Sequence, residues 1–338
     1  MTKDKGRRIL SLLLTVLLMT ALSFNAVFAG TEQNSGESTD ANELTTYVTE
    51  RDGQLYFLDA STGDIVKKAG FVKDLDGKMY YIRKGIIGVN RWTIVTNKTF
   101  KVGSKYYRAA KSGALKTGVY KWSGKYYYSK PSTGEWIKKE KIVTWKGNKY
   151  YIQSGGDILT DGIFTYKDVP YKSDARGKIK EIVVPKTSNK VIRIAREQVG
   201  ILTGKTYWVW YFKTKFIDTD RTPWCGAFVA WVYNKAGLYD KVLVATKFGN
   251  LGYVPTYSKY ANKYGKWVKT KKAKAGDIIV FGSNQHVGLV EGVADGCIVT
   301  IEGNAGPTAI IGCGKAGAVV RKVYDLKSTR IKGVIRVL

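Results

Sequence analysis

Residues 222–233 read Thr-Pro-Trp-Cys-Gly-Ala-Phe-Val-Ala-Trp-Val-Tyr, and they set the architecture of the C-terminal half of the chain. The apolar residues keep helical spacing, with Pro223 just ahead of them and Gly237 at their end, which predicts a buried helix. Cys225 would then lie in the first turn, where the positive end of the helix dipole lowers the pKa of a thiol. A lone cysteine at a helix start is more often a small buried hydrophobe, so its neighbours must decide its role.

Downstream of residue 274 the apolar period changes to two, which predicts strands of an antiparallel meander. The three strand-like runs are residues 278–281, 286–290 and 297–302. A turn is expected near Asn284, and another at Asp295-Gly296. For a hairpin that turns there, His286 lies within about one residue of the segment 302–304 on the facing strand.

Upstream, Ser188-Asn189 precedes apolar residues at helical spacing that end at Gly200, which predicts a short capped helix. Residues 187–338 are therefore expected to form an α+β domain, with N-terminal helices packed on an antiparallel sheet.

Residues 46–181 repeat one pattern: a turn glycine, two residues, an aromatic pair, and a second glycine. The first aromatic of each pair falls at positions 56, 80, 106, 127 and 150, and a degenerate sixth copy has Tyr171 with Gly177. A period of about 21 to 26 residues indicates stacked supersecondary units. Turn dipeptides such as Asp52-Gly53 beside Tyr-rich runs predict a β-hairpin for each unit, and hence an all-β hairpin-repeat solenoid. Most of these aromatics are expected to pack the units together, while exposed ones can stack on sugars or surround a cation.

The repeated string Gly-x-x-Tyr-Tyr followed by Gly, as in Gly147 to Tyr151 with Gly156, resembles the cell-wall-binding repeats of choline-binding and glucan-binding surface proteins of Gram-positive bacteria. The resemblance covers residues 46–181 and implies a module that retains the protein on the cell wall. It departs from that family because the Gly-Trp dipeptide that usually opens each unit is absent.

Four motifs of the C-terminal region resemble the CHAP domain, a family of Cys/His amidohydrolases and peptidases. They are Trp-Cys-x-x-Phe-Val-x-Trp, Ala-Gly-Asp-Ile-Ile-Val-Phe, His-Val-Gly-Leu-Val and Ile-Glu-Gly-Asn, in this order within residues 187–338. The resemblance implies a papain-like fold and cleavage of amide bonds in peptidoglycan. The bond would be the one between muramic acid and L-alanine, or one within the peptide.

The resemblance also implies roles for individual residues. Cys225 would attack the scissile carbonyl as a thiolate, and His286 would move the proton. Glu302 would hold the imidazole, with Asn304 as helper or substitute. Backbone amides at the start of the helix would bind the oxyanion. A second oxyanion donor stays unassigned, because residues 222–224 replace the glutamine that papain-like enzymes carry there.

Charge and composition narrow the classes of partner. The chain has 56 Lys+Arg against 27 Asp+Glu, a formal net charge of +29, and a single histidine. One histidine excludes multi-His zinc sites, and no cofactor is expected to be required. Some CHAP domains bind calcium, and Asp218 with Asp220 is a weak candidate for such a site. No recognition helix or single-strand platform is evident, so peptidoglycan and wall polyanions, such as teichoic acids or wall glycan, are expected as partners rather than nucleic acid.

The N-terminus predicts export. Residues 1–29 have a basic start, an apolar run and the small residues Val27 and Ala29, which is typical of a cleaved signal peptide. The apolar run is shorter than the roughly 20 residues of a membrane-spanning helix, so no stable membrane insertion is expected after cleavage. The acidic, polar residues 30–45 are expected to form a disordered leader.

Three cysteines in an exported protein suggest one reactive thiol and one pair. Cys297 and Cys313 could form that pair, whereas a disulfide at Cys225 would block the mechanism. Taken together, the sequence predicts a secreted, wall-associated, cysteine-dependent peptidoglycan amidase or endopeptidase of a Gram-positive bacterium. The alternative is a non-catalytic surface protein for glycan binding or adhesion, with a degenerate CHAP fold.

Overall fold

The computed structural model describes residues 46–85, 92–213, 222–240, 250–306 and 317–337. The predicted signal peptide (1–29) and leader (30–45) lie outside these residues. The described part of the chain is mostly β-structure, with four α-helices and one short 3-10 helix. None of the helices in these ranges is both long enough and apolar enough to cross a membrane.

The N-terminal strands form six antiparallel hairpins within residues 46–85 and 92–181, one for each repeat in the sequence. The paired strands are β1 (Thr46–Arg51) with β2 (Gln54–Asp59), β3 (Gly70–Lys73) with β4 (Met79–Arg83), β6 (Thr99–Val102) with β7 (Lys105–Arg108), β8 (Gly118–Trp122) with β9 (Lys125–Ser129), β11 (Lys141–Trp145) with β12 (Asn148–Ile152), and β13 (Ile163–Tyr166) with β14 (Val169–Ser173). Short third strands are β5 (Thr93–Ile94), β10 (Glu135–Trp136) and β15 (Ile179–Glu181). We call residues 46–181 the hairpin array.

The hairpin turns follow the predicted turn chemistry, with one exception. Asp52 and Gly53 both have positive φ, 49° and 70°, as a two-residue turn of the I′ type requires. The sixth hairpin has no glycine at its turn, yet Lys167 and Asp168 take φ values of 49° and 60°. The sixth repeat therefore keeps a turn with positive φ without glycine, the residue that adopts this conformation most readily.

The second glycine of a unit lies against the preceding unit. A Cβ atom on Gly113 would lie 2.5 Å from Cγ2 of Ile94, and one on Gly177 would lie 2.4 Å from Cγ2 of Ile158. Both glycines also have positive φ. They are needed for close approach between units as well as for the backbone conformation.

The repeated aromatics connect the units of the hairpin array. In four of the five aromatic pairs one member is buried, namely Phe57, Tyr80, Tyr107 and Tyr150. Rings of neighbouring units contact each other, with centroid separations of 4.7 Å for Phe71–Tyr107, 5.1 Å for Tyr81–Phe100 and 4.1 Å for Tyr151–Phe164. These contacts support the interpretation that most of the aromatics serve packing.

The C-terminal region combines helices with a six-stranded antiparallel sheet. The helices are α1 (Lys190–Glu197), α2 (Lys205–Phe212), α3 (Cys225–Lys235) and α4 (Pro255–Lys263), and the 3-10 helix is Thr270–Lys272. In spatial order the strands are β16 (Trp267–Val268), β21 (Ile331–Ile335), β17 (Ile278–Phe281), β18 (His286–Ala294), β19 (Cys297–Ala305) and β20 (Ala318–Asp325). As expected, Asn189 caps α1 by accepting a hydrogen bond from the Ile192 N–H at 3.2 Å.

The main hydrophobic core lies between the helices and one face of this sheet. Phe228, Val229 and Val232 of α3 are fully buried in one cluster with Leu289 and Ile301 of the sheet. The opposite face carries a smaller cluster that includes residues of β17, β18 and β19. The helices therefore pack on an antiparallel sheet, and α3 lies at its centre.

The stacking glycines give a prediction on stability. Gly177→Ala should lower the free energy of unfolding of the hairpin array by about 1–3 kcal/mol more than Gly124→Ala does. Both glycines have positive φ, but a Cβ on Gly124 meets nothing within 4 Å, whereas one on Gly177 meets Ile158. Urea unfolding followed by near-UV circular dichroism of the tyrosines measures the difference. Equal losses in the two variants would show that backbone strain alone matters. Ile158→Ala, which removes the contacting Cγ2, should cost less in the Gly177→Ala background than in the wild-type protein.

Candidate active site

Cys225 is the first residue of α3, and its side chain is buried. Trp224 precedes it in a non-helical conformation and makes no capping hydrogen bond with its side chain. The first bond of the helix runs from the Phe228 N–H to the Trp224 carbonyl at 2.9 Å. The N–H groups of residues 225–227 therefore have no acceptor within the helix, and they face the end where the dipole is positive.

The start of α3 is held by a close backbone contact. A Cβ on Gly226 would lie 2.4 Å from the Leu251 carbonyl oxygen, so only glycine fits this position. The hydroxyl of Tyr257 on α4 donates a hydrogen bond to the Gly226 carbonyl at 3.0 Å. These contacts fix the helix end that carries the thiol.

His286 is the first residue of β18, and the register of this strand decides what it faces. Opposite β19, Leu289 pairs with Ile301 and Val290 with Thr300, but the next pair is Gly292 with Val299, so Glu291 is an extra residue. Such a bulge changes which face the residues before it occupy. It places the side chain of His286 on the same face of the sheet as that of Glu302.

Gly288 makes room for this contact. It lies between His286 and the bulge, where its missing side chain leaves space for the Glu302 side chain. A Cβ on Gly288 would lie 2.7 Å from Cγ of Glu302. The carboxylate can therefore reach across, and the His286 Nε2 lies 3.0 Å from Oε2 of Glu302.

Glu302 is a carboxylate in the interior, with a side chain only 1% exposed. Thr300 donates a hydrogen bond to its Oε1 at 2.6 Å, and the hydroxyl of Tyr324 donates to its Oε2 at 3.2 Å. Burial opposes the ionisation of Glu302, but the hydrogen bond and charge of His286, the charge of Lys322 and the hydrogen bond from Thr300 outweigh it. The pKa of Glu302 is therefore lowered, and the group is ionised.

The thiol and the imidazole form a coupled pair. Burial alone would raise the pKa of Cys225, but the charge and hydrogen bond of His286 and the N–H groups of Val287 and Gly226 lower it. Burial alone would lower the pKa of His286, but Cys225 and Glu302 raise it. Because Nε2 faces Glu302, Nδ1 is the nitrogen left for Cys225. The arrangement favours a thiolate next to an imidazolium.

Asn304 lies in the same cavity as His286 and Glu302, close to the end of β19, but the imidazole is hydrogen-bonded to Glu302 and not to Asn304. It takes a left-handed conformation with φ 55°, which asparagine tolerates better than most residues. The structure thus brings Cys225, His286 and Glu302 into one hydrogen-bonded chain and places Asn304 beside it.

Asp277 of the Ala-Gly-Asp motif lies outside this chain. Its carboxylate accepts a hydrogen bond from the Lys274 N–H at 2.8 Å and pairs with Arg336, also at 2.8 Å. These contacts give it the structural role in a turn that its place ahead of a strand suggests.

Two residues that contact Glu302 lie outside the sequence motifs. Tyr324 lies on β20, outside every motif, and only the pairing of β19 with β20 brings it to Glu302. Thr300 lies two residues before Glu302, and this spacing on a strand puts both on one face. An alternation of polar residues inside a buried strand is the signal that could have identified Thr300.

The remaining predicted residues lie partly outside the described structure. Asp218 and Asp220, the candidate calcium ligands, are outside it, as is Cys313. Cys297 is a buried free thiol, and burial raises its pKa. In the described ranges, no group of three or more His, Cys, Asp or Glu residues is arranged to hold a metal ion.

Parts of the chain are similar to proteins of streptococci and of a phage. Over 115 residues the chain is 32% identical to glucosyltransferase-I of Streptococcus downei, a match that covers 34% of this chain and 7% of that protein. The structure of CbpJ from Streptococcus pneumoniae aligns with 21% identity and a TM-score of 0.33, over 43% of this chain and 48% of that one. The endolysin of phage Cp-1 complexed with choline aligns with 19% identity and a TM-score of 0.28, over 43% of this chain and 40% of that one. The chain thus spans less than half of each of these relatives.

Residues 217–304 match the CHAP domain family. The matched range begins just before α3 and ends at Asn304, so it includes the whole chain of hydrogen bonds from Cys225 to Glu302. The protein therefore contains a CHAP domain, preceded in the sequence by an array of β-hairpin repeats.

Proposed function

We propose that the protein is a secreted peptidoglycan hydrolase that cleaves an amide bond through Cys225, with a papain-like arrangement of the catalytic groups. The observation that carries this proposal is the hydrogen-bonded chain of Cys225, His286 and Glu302 within the CHAP domain. The first member lies at a helix start, the second has two partners, and the third is a buried, ionised carboxylate. This is the arrangement of nucleophile, base and orienting group that acyl transfer needs.

The reaction has two halves. The Cys225 thiolate attacks the amide carbonyl carbon, and the oxyanion that forms is bound by N–H groups of residues 225–227. The imidazolium of His286 protonates the leaving amine, the C–N bond breaks, and an acyl thioester remains. His286, now neutral, removes a proton from water, which attacks the thioester and releases the carboxylic acid. The thiolate and the imidazolium are thereby restored, and Glu302 keeps the imidazole oriented throughout.

The substrate is an amide of peptidoglycan, either the bond between muramic acid and L-alanine or one within the peptide. The CHAP domain supports this class of substrate. The hairpin array in the same chain supports retention on the cell wall, and the formal charge of +29 supports wall polyanions as its partner.

An aromatic cluster in the hairpin array bears on its ligand. Trp122 and Trp136 contact each other edge to face, with Tyr106 also against Trp136. Such a cluster can bind an external cation, but here the protein supplies its own. The Arg108 guanidinium lies 4.4 Å from the Trp122 ring centroid, and the Lys138 ammonium lies 4.3 Å from that of Tyr106. We infer that this cluster presents cations to an anionic polymer rather than binding a quaternary ammonium group.

The test of the catalytic proposal is hydrolysis of purified peptidoglycan. The wild-type protein should release new amino and carboxyl groups, and Cys225→Ala should lower the rate of release at least about a thousandfold. Cys297→Ala is the matched control, because it removes the other described buried thiol without touching the site. Full activity of Cys225→Ala would contradict the mechanism. Binding of walls by a wild-type protein that cleaves none of them would favour a non-catalytic surface protein.

The partners of His286 predict the pH profile of kcat/KM. Activity requires the thiolate and the imidazolium together, so it should fall on the alkaline side as His286 loses its proton. Because Glu302 raises the pKa of His286, Glu302→Gln should move the alkaline limb to lower pH, by about one to two units. Asn304→Gly leaves the contact between His286 and Glu302 in place, so it should not shift the alkaline limb of the profile. A shift with Asn304→Gly but not with Glu302→Gln would make Asn304 the orienting residue.

The ligand of the hairpin array can be tested by sedimentation with purified walls. The bound fraction should fall steeply in about 1 M NaCl, where the Debye length is about 3 Å. Choline chloride at the same ionic strength should release no more protein than NaCl does, since the protein's own cations cover the aromatic rings. Selective release by choline would contradict the inference. Deletion of residues 46–181 should abolish sedimentation at low salt.

A further inference from the structure

Two cavities meet beside the catalytic imidazole and continue to the last hairpin of the array. The first, of about 210 Å³, is lined by His286, Glu302 and Asn304. The second, of about 570 Å³, lies between β20 and the β13–β14 hairpin. The two share three lining residues, Lys322, Tyr324 and Arg330. They are therefore adjacent, and we call the two together the seam groove.

The walls of the seam groove are held in place by contacts between the two parts of the chain. Ile182 and Val184, just after the hairpin array, are buried against Cys297 and Val299 of β19. The Arg321 guanidinium donates a hydrogen bond to the Asp168 carbonyl at 3.3 Å. The turn of the sixth hairpin is thus fixed relative to the catalytic sheet.

One wall of the groove is β20, the last strand in the order of the sheet, with β19 on one side and no strand of the described residues paired to the other. Part of its outer edge is already used, because Val319 accepts a hydrogen bond from the Gly200 N–H and donates one to the Ile201 carbonyl, both at 2.8 Å. Residues 320–324 line the groove, and no main-chain hydrogen bond from another described element reaches their outer edge. This short stretch presents N–H and C=O groups that can pair with an extended peptide.

The groove also contains cations without carboxylate partners. Arg196, Arg321 and Arg336 are each paired with a buried carboxylate. The other cations that line the groove are Lys167, Lys322 and Arg330, and no described carboxylate forms an ion pair with them. Lys322 acts on Glu302 only through its charge, and the Arg330 guanidinium lies 5.9 Å from the Tyr324 ring centroid.

The acidic residues of the lining do not cancel this charge. Glu302 is held by His286, Thr300 and Tyr324. Glu140 accepts a hydrogen bond from the Tyr151 hydroxyl, and Asp168 lies at the exposed turn of the sixth hairpin. Lys322 and Arg330 lie at the junction of the two cavities, nearest to His286. The excess positive charge is therefore next to the reaction site, where it can bind an anionic part of the substrate.

We propose that the seam groove is a substrate subsite that binds the carboxylate-bearing peptide of the wall in an extended conformation along β20. The proposal rests on the proposed hydrolase function. A peptide fits better than a phosphate polymer, since only a peptide can use the main-chain groups of the strand edge as well as the cations. Its carboxylates lie at Lys322 and Arg330, and the sixth hairpin closes the far side. The last repeat thus helps to select the substrate in addition to its role in wall retention.

Kinetics on two soluble wall fragments test the subsite. One fragment carries free peptide carboxylates, and the other is the same fragment with these groups amidated. Arg330→Gln and Lys322→Gln should each raise KM for the free form about tenfold and leave KM for the amidated form unchanged, because a charge-assisted hydrogen bond is lost only with the former. An effect of Lys322 that acts through Glu302 would change the kinetics of both fragments equally, so the comparison between the fragments removes it. Lys190→Gln, at the exposed start of α1, is the matched control and should change neither KM.

The outcomes separate the two proposals. If the wild-type protein cleaves neither fragment, the hydrolase function fails. If it cleaves both and the variants change neither KM, or change both equally, the subsite is wrong. A soluble glycerol-phosphate polymer provides a further test. If it inhibits the wild-type protein, if Arg330→Gln weakens that inhibition, and if the variants do not distinguish the two fragments, the groove binds a phosphate polymer and the peptide assignment is overturned.

Discussion

The site depends on one buried negative charge, that of Glu302. A carboxylate in the interior is costly unless its oxygens are hydrogen-bonded and a cation is near. Thr300 and Tyr324 supply the hydroxyl groups, and His286 supplies the cation. The same charge raises the pKa of His286, and a protonated His286 in turn favours the thiolate of Cys225. The lowered pKa of the thiol thus depends on the third member of the hydrogen-bonded chain, the Glu302 carboxylate, and on the groups that stabilise its charge.

This chain of charges requires an exact register between β18 and β19. Without the extra residue at Glu291, Leu289 would lie opposite Glu302, and His286 would be on the other face of the sheet. The bulge residue has its own structural role, because its carboxylate pairs with Arg196 of α1 and with Arg321 of β20. The residue that corrects the register is therefore anchored to a helix and to a strand outside the β18–β19 hairpin, and these contacts oppose slippage.

The sequence predicts most of the elements and the candidate site, but not the contacts that make the site work. The helix from Cys225 and the strand from His286 follow from period and capping, which are local properties. The pairing with Glu302 could be predicted to within a residue because a two-residue turn at Asp295-Gly296 fixes the hairpin. The bulge changes this by one residue, and it depends on ion pairs to α1 and β20 that are distant in sequence. The contact of Tyr324 with Glu302 and the seam groove arise in the same way, from the packing of β20 between β19 and the sixth hairpin.

The contact between the last hairpin and the sheet has a consequence for how the proposed hydrolase meets its substrate. Two modules on a flexible linker search a volume set by linker length, so binding by one only raises the local concentration of the other. Here residues 182–184 are packed on β19, and Arg321 connects the sixth hairpin to the bulge carboxylate of Glu291. A wall polymer held by the hairpin array is therefore presented to the site in a restricted orientation. Loosening this contact would cost the proposed enzyme more on an insoluble wall than on a soluble fragment, because only the wall is held at both places.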